Sequence, residues 1–164
     1  MKNINQILLS IGTNFGNREE NIESALEHLI SGGVIESAVI SSLYETEPFG
    51  ITEQAWFLNI AVLCTTELEP LELLQICKSI EYSIGRTQRK RWHEREIDID
   101  IIFFNDLVMN DKILTIPHLR LEKRKFVLIP SIEIAPNYIH PISKLTLKQI
   151  LADCNDSSTV RIYG

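Results

Sequence analysis

Cysteine is scarce in this 164-residue chain: Cys64, Cys77 and Cys154 lie far apart, with no CxxC pair and no histidine at ligand spacing. An odd, scattered set of this kind reads as reduced thiols in a cytoplasmic protein. Long apolar runs are missing too. The N-terminal stretch MKNINQILLSIGTN is too short in apolar residues for a signal peptide or a membrane span. There is no internal repeat, no low-complexity tract and no Pro/Gly/Ser-rich linker, so a single domain over residues 1–164 is expected. An excess of positive charge is absent: 16 Lys and Arg stand against 22 Asp and Glu, a net charge of −6. That balance argues against nucleic acid or a membrane surface as partner. Nor is there a GxxxxGK[ST] segment, which excludes a Walker-type phosphate cradle.

What is present is an ordinary globular composition, 45% apolar and 23% charged. QILLSIG reads as a first strand and GTNFGN as the turn after it. In NREENIESALEHLI, Asn17 is placed to cap, and Ile22, Leu26, Leu29 and Ile30 form a helical stripe. VIESAVISSLYET and WFLNIAVLCTTEL are strand-like, and PLELLQICKSIEYSIG is a helix with Pro70 near its start and Gly85 at its end. Cys77 falls in register with Leu73, Leu74 and Ile80, a core position. After the strand REIDIDIIFF come short strands around 107–115, a mixed segment PHLRLEKRKFVLIPSIEIAP and a helix LTLKQILAD. The leading order is β-α-β-β-α-β, which predicts a ferredoxin-like antiparallel α+β sheet. Two helices would lie on one face, and a C-terminal elaboration would follow. The strand bearing the aspartates would be the fourth.

REIDIDIIFF raises the chemical question. Side chains alternate faces along a strand, so Ile97, Ile99 and Ile101 share one face and Asp98 and Asp100 the other, with Ile102 and Phe104 continuing the aspartate face. Two carboxylates about 6.5–7 Å apart on an apolar strand call for a cation. The plainer alternative is a solvated edge strand. Against it stand Arg86, Arg89, Lys90, Arg91 and Arg95 immediately upstream, and Arg120, Lys123, Arg124 and Lys125 downstream. Carboxylates for magnesium beside arginines for oxyanions make a site for metal-bound polyphosphate, and such a pair can serve two ions about 3.5–4 Å apart. Trp92 within the basic loop suits a lid over a nucleotide. Phe49, Trp56 and Phe57, followed by Asn59, offer an aromatic slot with one amide, although ordinary core is the plainer reading of those rings. A different two-metal nucleotidyl transferase and a non-catalytic ligand-binding module both remain compatible with these features.

Taken together, IGTN, YETEPFG followed by FLN, RWHEREIDIDI, and LTIPH with the later RKF resemble the 6-hydroxymethyl-7,8-dihydropterin pyrophosphokinases of folate biosynthesis, in order and spacing from Ile11 to about Pro136. The resemblance implies transfer of pyrophosphate from ATP to the pterin hydroxymethyl group, with AMP released and two Mg²⁺ ions required. Asp98 and Asp100 would match the magnesium ligands. Arg95, with Arg86, Arg89 and Trp92, would match the catalytic loop, Arg95 and Trp92 also contacting ATP. Ile101, Thr115, His118 and Arg124 would match the nucleotide side. Phe57 and Phe126 would sandwich the pterin, Asn59 would read its polar edge, and Thr46 and Phe49 would line its pocket. The partners implied are these small molecules, acting on a monomer. The chain departs from the family pattern at His93-Glu94, where a Gly-Pro pair is usual, at Glu47 (usually Pro) and at Phe57 (usually Tyr). The lost tyrosine hydroxyl leaves the stacking face intact.

Overall fold

The computed structural model describes residues 2–48, 50–85 and 94–164. Its axis is β1 (Asn5–Thr13), buried without interruption from Ile7 onward, as a strand covered on both faces must be. Helix α1 (Arg18–Ile30) begins where the Asn17 side chain accepts the Glu20 N–H, with Glu19 and Glu20 placed to complement the helix dipole. Strands β2 (Glu36–Ile40), β3 (Tyr44–Thr46) and β4 (Phe57–Thr66) follow. Helix α2 (Pro70–Ser83) starts with proline in its first turn and a reciprocal capping box between Glu69 and Glu72. Next come β5 (Asp98–Phe104), the short pair β6 (Met109–Asn110) and β7 (Thr115–Ile116), α3 (Lys125–Ile134), α4 (Leu147–Ala152) and β8 (Val160–Ile162).

The main sheet runs β5-β1-β4-β3-β8, with β2 also paired to β4, and every pairing is antiparallel. This is the ferredoxin-like order. As expected, α1 and α2 cover one face, where Leu29, Leu73 and Cys77 pack on Ile7, Leu9 and Ile11. The C-terminal elaboration covers only part of the other face. There α3 and α4 bring Val127, Leu128, Leu147 and Ile150 onto Leu8, Ala61, Ile102 and Phe103. No described helix is long and apolar enough to cross a membrane.

Several expectations are corrected. VIESAVISSLYET is two strands rather than one, so the aspartate strand is the fifth. The break falls at Ser41, whose N–H donates to Ala61 O while its hydroxyl accepts the Ala61 N–H, replacing one rung of the ladder with a side chain. The mixed segment contains α3 in spite of Pro130, because tertiary packing of Val127, Leu128 and Ser131 outweighs the missing donor. The C-terminal β8 was not anticipated from TVRIYG. Finally, Phe104 does not continue the aspartate face. Leu8 pairs with Phe103 but Leu9 with Ile101, leaving Ile102 as the extra residue of a bulge, and Phe104 swings into the core under α1 and α2.

Candidate active site

The bulge and the register together build the floor of a cleft. Along β1 the second face runs from Leu8 to Ser10 to Gly12, from apolar core to open floor. Gly12 sits between Asp98 on β5 and Asn59 on β4, and Ser10 sits between Asp100 and Ala61. Beyond the part of this face that α3 and α4 cover, the sheet is left open as a cavity of about 510 Å³, with Phe126 of α3 in its wall. The bulged residue contributes as well: the Ile102 carbonyl accepts the His118 N–H at 3.0 Å, which brings His118 to the aspartate strand.

At one end of the cavity stand the carboxylates. The Arg95 guanidinium lies 3.6 Å from Asp98 and the Arg124 guanidinium 3.9 Å from Asp100. Burial, and then the neighbouring Asp98 charge, push the Asp100 carboxyl up from 3.8 to about 7, so the metal-free pair resists full ionisation. Between the two aspartates, the Ile99 N–H points off the sheet edge and donates to Glu81 Oε1 at 2.8 Å. Glu81 is 2% exposed and also meets Lys78 at 3.3 Å, so α2 braces the outer edge of the strand. On the opposite side, burial first and the Arg124 and Arg120 charges next lower the His118 ring to about 4. The ring is therefore neutral at physiological pH. Its Nδ1 accepts the Arg120 N–H at 3.2 Å, which places the ring proton on Nε2. In that tautomer His118 is a donor and not a base.

The other end is aromatic and amide-bearing. Asn59, 2% exposed, donates through Nδ2 to Thr46 Oγ1 at 3.0 Å, and Phe57 and Phe126 line the same cavity. Gly12 explains how flat this floor is. A Cβ there would stand 2.6 Å from Asn59 Oδ1, closer than non-bonded atoms come. Asn59 can move only by giving up Thr46. Gly12→Ala is therefore expected to raise the KM for a ligand read by Asn59 at least about 10-fold, with a much smaller effect on folding, as steady-state kinetics and thermal melting will show.

Of the residues singled out from the sequence, Arg95, Asp98, Asp100, His118 and Arg124 meet at the first end, and Thr46, Phe57, Asn59 and Phe126 at the second. Two do not join them. The Ile101 side chain is 3% exposed and packed under α1 and α2, leaving only its backbone near the site. Thr115 is on β7, opposite Asn110, and is not among the cavity-lining residues. Phe49, Arg86, Arg89, Trp92 and His93 lie outside the described residues. Sequence reasoning missed Lys78, Asp156 and Ser158, all in the lining. Helical spacing from Glu81 was the only available signal for Lys78, and nothing local marked the other two.

Fold and site together define a ferredoxin-like α+β protein with a carboxylate-and-guanidinium cleft opening into an aromatic, amide-lined pocket. The chain belongs to the 7,8-dihydro-6-hydroxymethylpterin-pyrophosphokinase (HPPK) family, whose model matches residues 8–136. It is 39% identical over 154 residues to the 2-amino-4-hydroxy-6-hydroxymethyldihydropteridine pyrophosphokinase of Methylorubrum extorquens, covering 94% of this chain and 96% of that protein. The enzyme of that name from Aquifex aeolicus is 42% identical over 143 residues, covering 87% of this chain and 88% of the relative. Among solved structures, Plasmodium falciparum HPPK-DHPS with pteroate superposes with a TM-score of 0.73 at 19% identity. That likeness is one of fold, covering 93% of this chain, which spans 43% of the longer Plasmodium chain.

Proposed function

We propose that the protein transfers the β,γ-pyrophosphoryl unit of ATP to the hydroxymethyl group of 6-hydroxymethyl-7,8-dihydropterin, as a step of folate biosynthesis. The observation that carries this reading is one continuous cavity. Asp98, Asp100, Arg95 and Arg124 stand at its polyphosphate end, and Phe57, Asn59 and Phe126 at its heterocycle end. The relatives named for this activity cover nearly the whole chain.

The donor set fits magnesium. Two carboxylates share one face, and the raised Asp100 carboxyl marks a pair that a cation would relieve. Among the described residues no group of three or more His, Cys, Asp or Glu surrounds a metal-sized site. That suits an ion that takes one or two protein carboxylates and completes its shell with water and substrate phosphates. Asp98 and Asp100 would hold two Mg²⁺ ions, which when bound screen the triphosphate and acidify the pterin hydroxyl.

The protein's own share of the work is positioning and charge. Arg95 and Arg124 hold the phosphate oxygens and take the charge that develops on them. His118 donates from Nε2 to the nucleotide. Phe57 and Phe126 stack the pterin, and Asn59 fixes its rotation so that the hydroxymethyl oxygen faces the β-phosphorus. The new O–Pβ bond forms as the hydroxyl gives up its proton to solvent and the bond from Pβ to the α-phosphate oxygen breaks, so that AMP leaves with that oxygen. Arg86, Arg89 and Trp92 are assigned phosphate contact and nucleotide cover in this scheme. The catalytic unit is the single domain, acting as a monomer.

Phosphorus NMR of the protein with ATP, hydroxymethyl dihydropterin and Mg²⁺ tests the assignment. AMP and a pterin diphosphate are expected to appear together, and only when all three are present. Release of free pyrophosphate in their place would mean a nucleotidyl transferase instead.

A further inference from the structure

The rung of the sheet at the heterocycle end of the cavity pairs Thr46 of β3 with Phe57 of β4. On the next rung Glu45 pairs with Leu58 and, on its other side, with Arg161 of β8. Side chains alternate faces along a strand, so Glu45 and Arg161 project from the back of the sheet, the side of Ile60 and α1. Neither lines the cavity.

Two arginines meet there from opposite ends of the chain. Arg18, the first residue of α1, places Nη1 3.0 Å from Glu45 Oε1 and donates from the same nitrogen to the Trp56 carbonyl at 2.6 Å. Arg161 donates to Glu45 Oε2 from Nη2 at 2.9 Å and from Nε at 3.3 Å, and its guanidinium lies 4.5 Å from the centre of the Trp56 ring. Tyr163 closes the circle: its hydroxyl donates to Glu19 Oε1 at 2.7 Å, and the Arg18 guanidinium stands 5.5 Å from its ring centre. Glu45 and Trp56 are each held twice, once from α1 and once from β8.

The Trp56 carbonyl shares a peptide plane with the Phe57 nitrogen, so the Arg18 bond fixes the plane from which the Phe57 ring hangs. Glu45 does the same for Thr46 on the other strand. Residues 47–56 join these two strands, and loops are the mobile part of a fold. The grip falls at the two points where this loop meets the sheet. Stability alone is a poor reason for it. The Arg161 side chain is 61% exposed, and exposed ion pairs contribute little to folding. Strand β8 has only three residues, and two of them, Arg161 and Ile162, are exposed.

We propose that Arg18 and Arg161 are positioning residues for the heterocyclic substrate. Gripping Glu45 and Trp56 from behind, they fix the angle of the Phe57 ring and the place of Thr46, whose hydroxyl in turn holds Asn59. Arg161 lies beyond residue 136, where the family model ends, so part of the pocket's precision comes from this chain's own C-terminal segment. The inference rests on the pterin reading of the cavity.

The test compares wild type, Arg18→Ala, Arg161→Ala and Arg161→Lys in steady-state assays of AMP formation, each substrate varied in turn, alongside thermal melting. Arg18→Ala is expected to raise the KM for hydroxymethyl dihydropterin about 5- to 20-fold and Arg161→Ala about 3-fold, with the KM for ATP held within about twofold. Arg161→Lys, which keeps a cation for Glu45 and the Trp56 ring, should recover most of what Arg161→Ala loses. A wild-type pterin KM in both alanine variants overturns the proposal. So does an equal weakening of both substrates with a lower melting temperature, which marks the arginines as structural only. Arg161→Ala, altered at an exposed side chain, decides by the same criteria if Arg18→Ala does not fold. Wild type separates the two levels: if it forms no AMP, the reaction assignment fails and this inference with it. AMP formation with unchanged KM values in the variants removes the two arginines alone.

Discussion

Asp100→Asn is expected to lose at least about 1,000-fold in pyrophosphoryl transfer while making the metal-free protein more stable above neutral pH. Both effects come from one cause. In the folded protein, burial and the adjacent Asp98 raise the Asp100 carboxyl from 3.8 to about 7. Between those values the folded state holds a proton that the unfolded chain has released, so stability falls as pH rises through the window, and above it the full unfavourable charge is present. Asparagine keeps the shape and removes the charge. Its melting temperature at pH 8 should therefore exceed that of wild type, by on the order of 5 °C, with the gain vanishing toward pH 4, where both side chains are neutral. Activity moves the other way because an amide is a poor magnesium ligand. Asp98→Ala should show a comparable loss of turnover. Near-normal AMP release by either variant would refute the metal-pair assignment, and equal melting of Asp100→Asn and wild type at pH 8 would refute the stored charge.

Removing the Arg95 side chain should be nearly as damaging to catalysis without touching the fold. What the architecture uses at this position is backbone: the Arg95 N–H donates to Asn14 Oδ1 at 2.8 Å, and its carbonyl accepts from Asn14 N–H at 3.0 Å and Thr13 Oγ1 at 3.3 Å. The guanidinium reaches in the other direction, to 3.6 Å from Asp98 at the cavity wall. Arg95→Ala is expected to lower kcat about 100- to 1,000-fold with no significant change in melting temperature. Arg95→Lys should recover only part of that, since an ammonium supplies charge without the two-pronged geometry. A kcat for Arg95→Ala within about tenfold of wild type would remove Arg95 from the transition state.

Much of this site was legible because its chemistry is local. Asp98 and Asp100 share a face by the two-residue period of a strand, and Arg95 stands three residues upstream. A pattern of that kind survives any packing arrangement. The reading failed where the period itself breaks. Counting in twos placed Phe104 beside the aspartates, but the bulge at Ile102 shifts the phase and sends Phe104 to the opposite face. Ile101 illustrates the same point from the other side: its phase was right, and it puts the side chain in the core and away from the cavity. VIESAVISSLYET read as one strand because its residues all favour extension, and only the cross-strand bonds of Ser41 to Ala61 divide it.

The amino-acid sequence by itself determined the first strand, the two helices that cover one face, and the carboxylate pair with Arg95 beside it, because periodicity, caps and motif spacing are properties of neighbours along the chain. The set Phe57, Asn59 and Phe126 came from the family resemblance. Tertiary structure alone decided three things. It joined the two ends into one cavity, since Gly12 meets both Asp98 and Asn59 only through the register of β1 with its neighbours on each side. It set His118 as a neutral donor, since burial and the charges of Arg124 and Arg120 act through space. It also brought Lys78 and the Asp156–Ser158 turn to the wall of the cavity. Each of these depends on residues tens of positions apart, and contacts at that separation are set by how the layers pack.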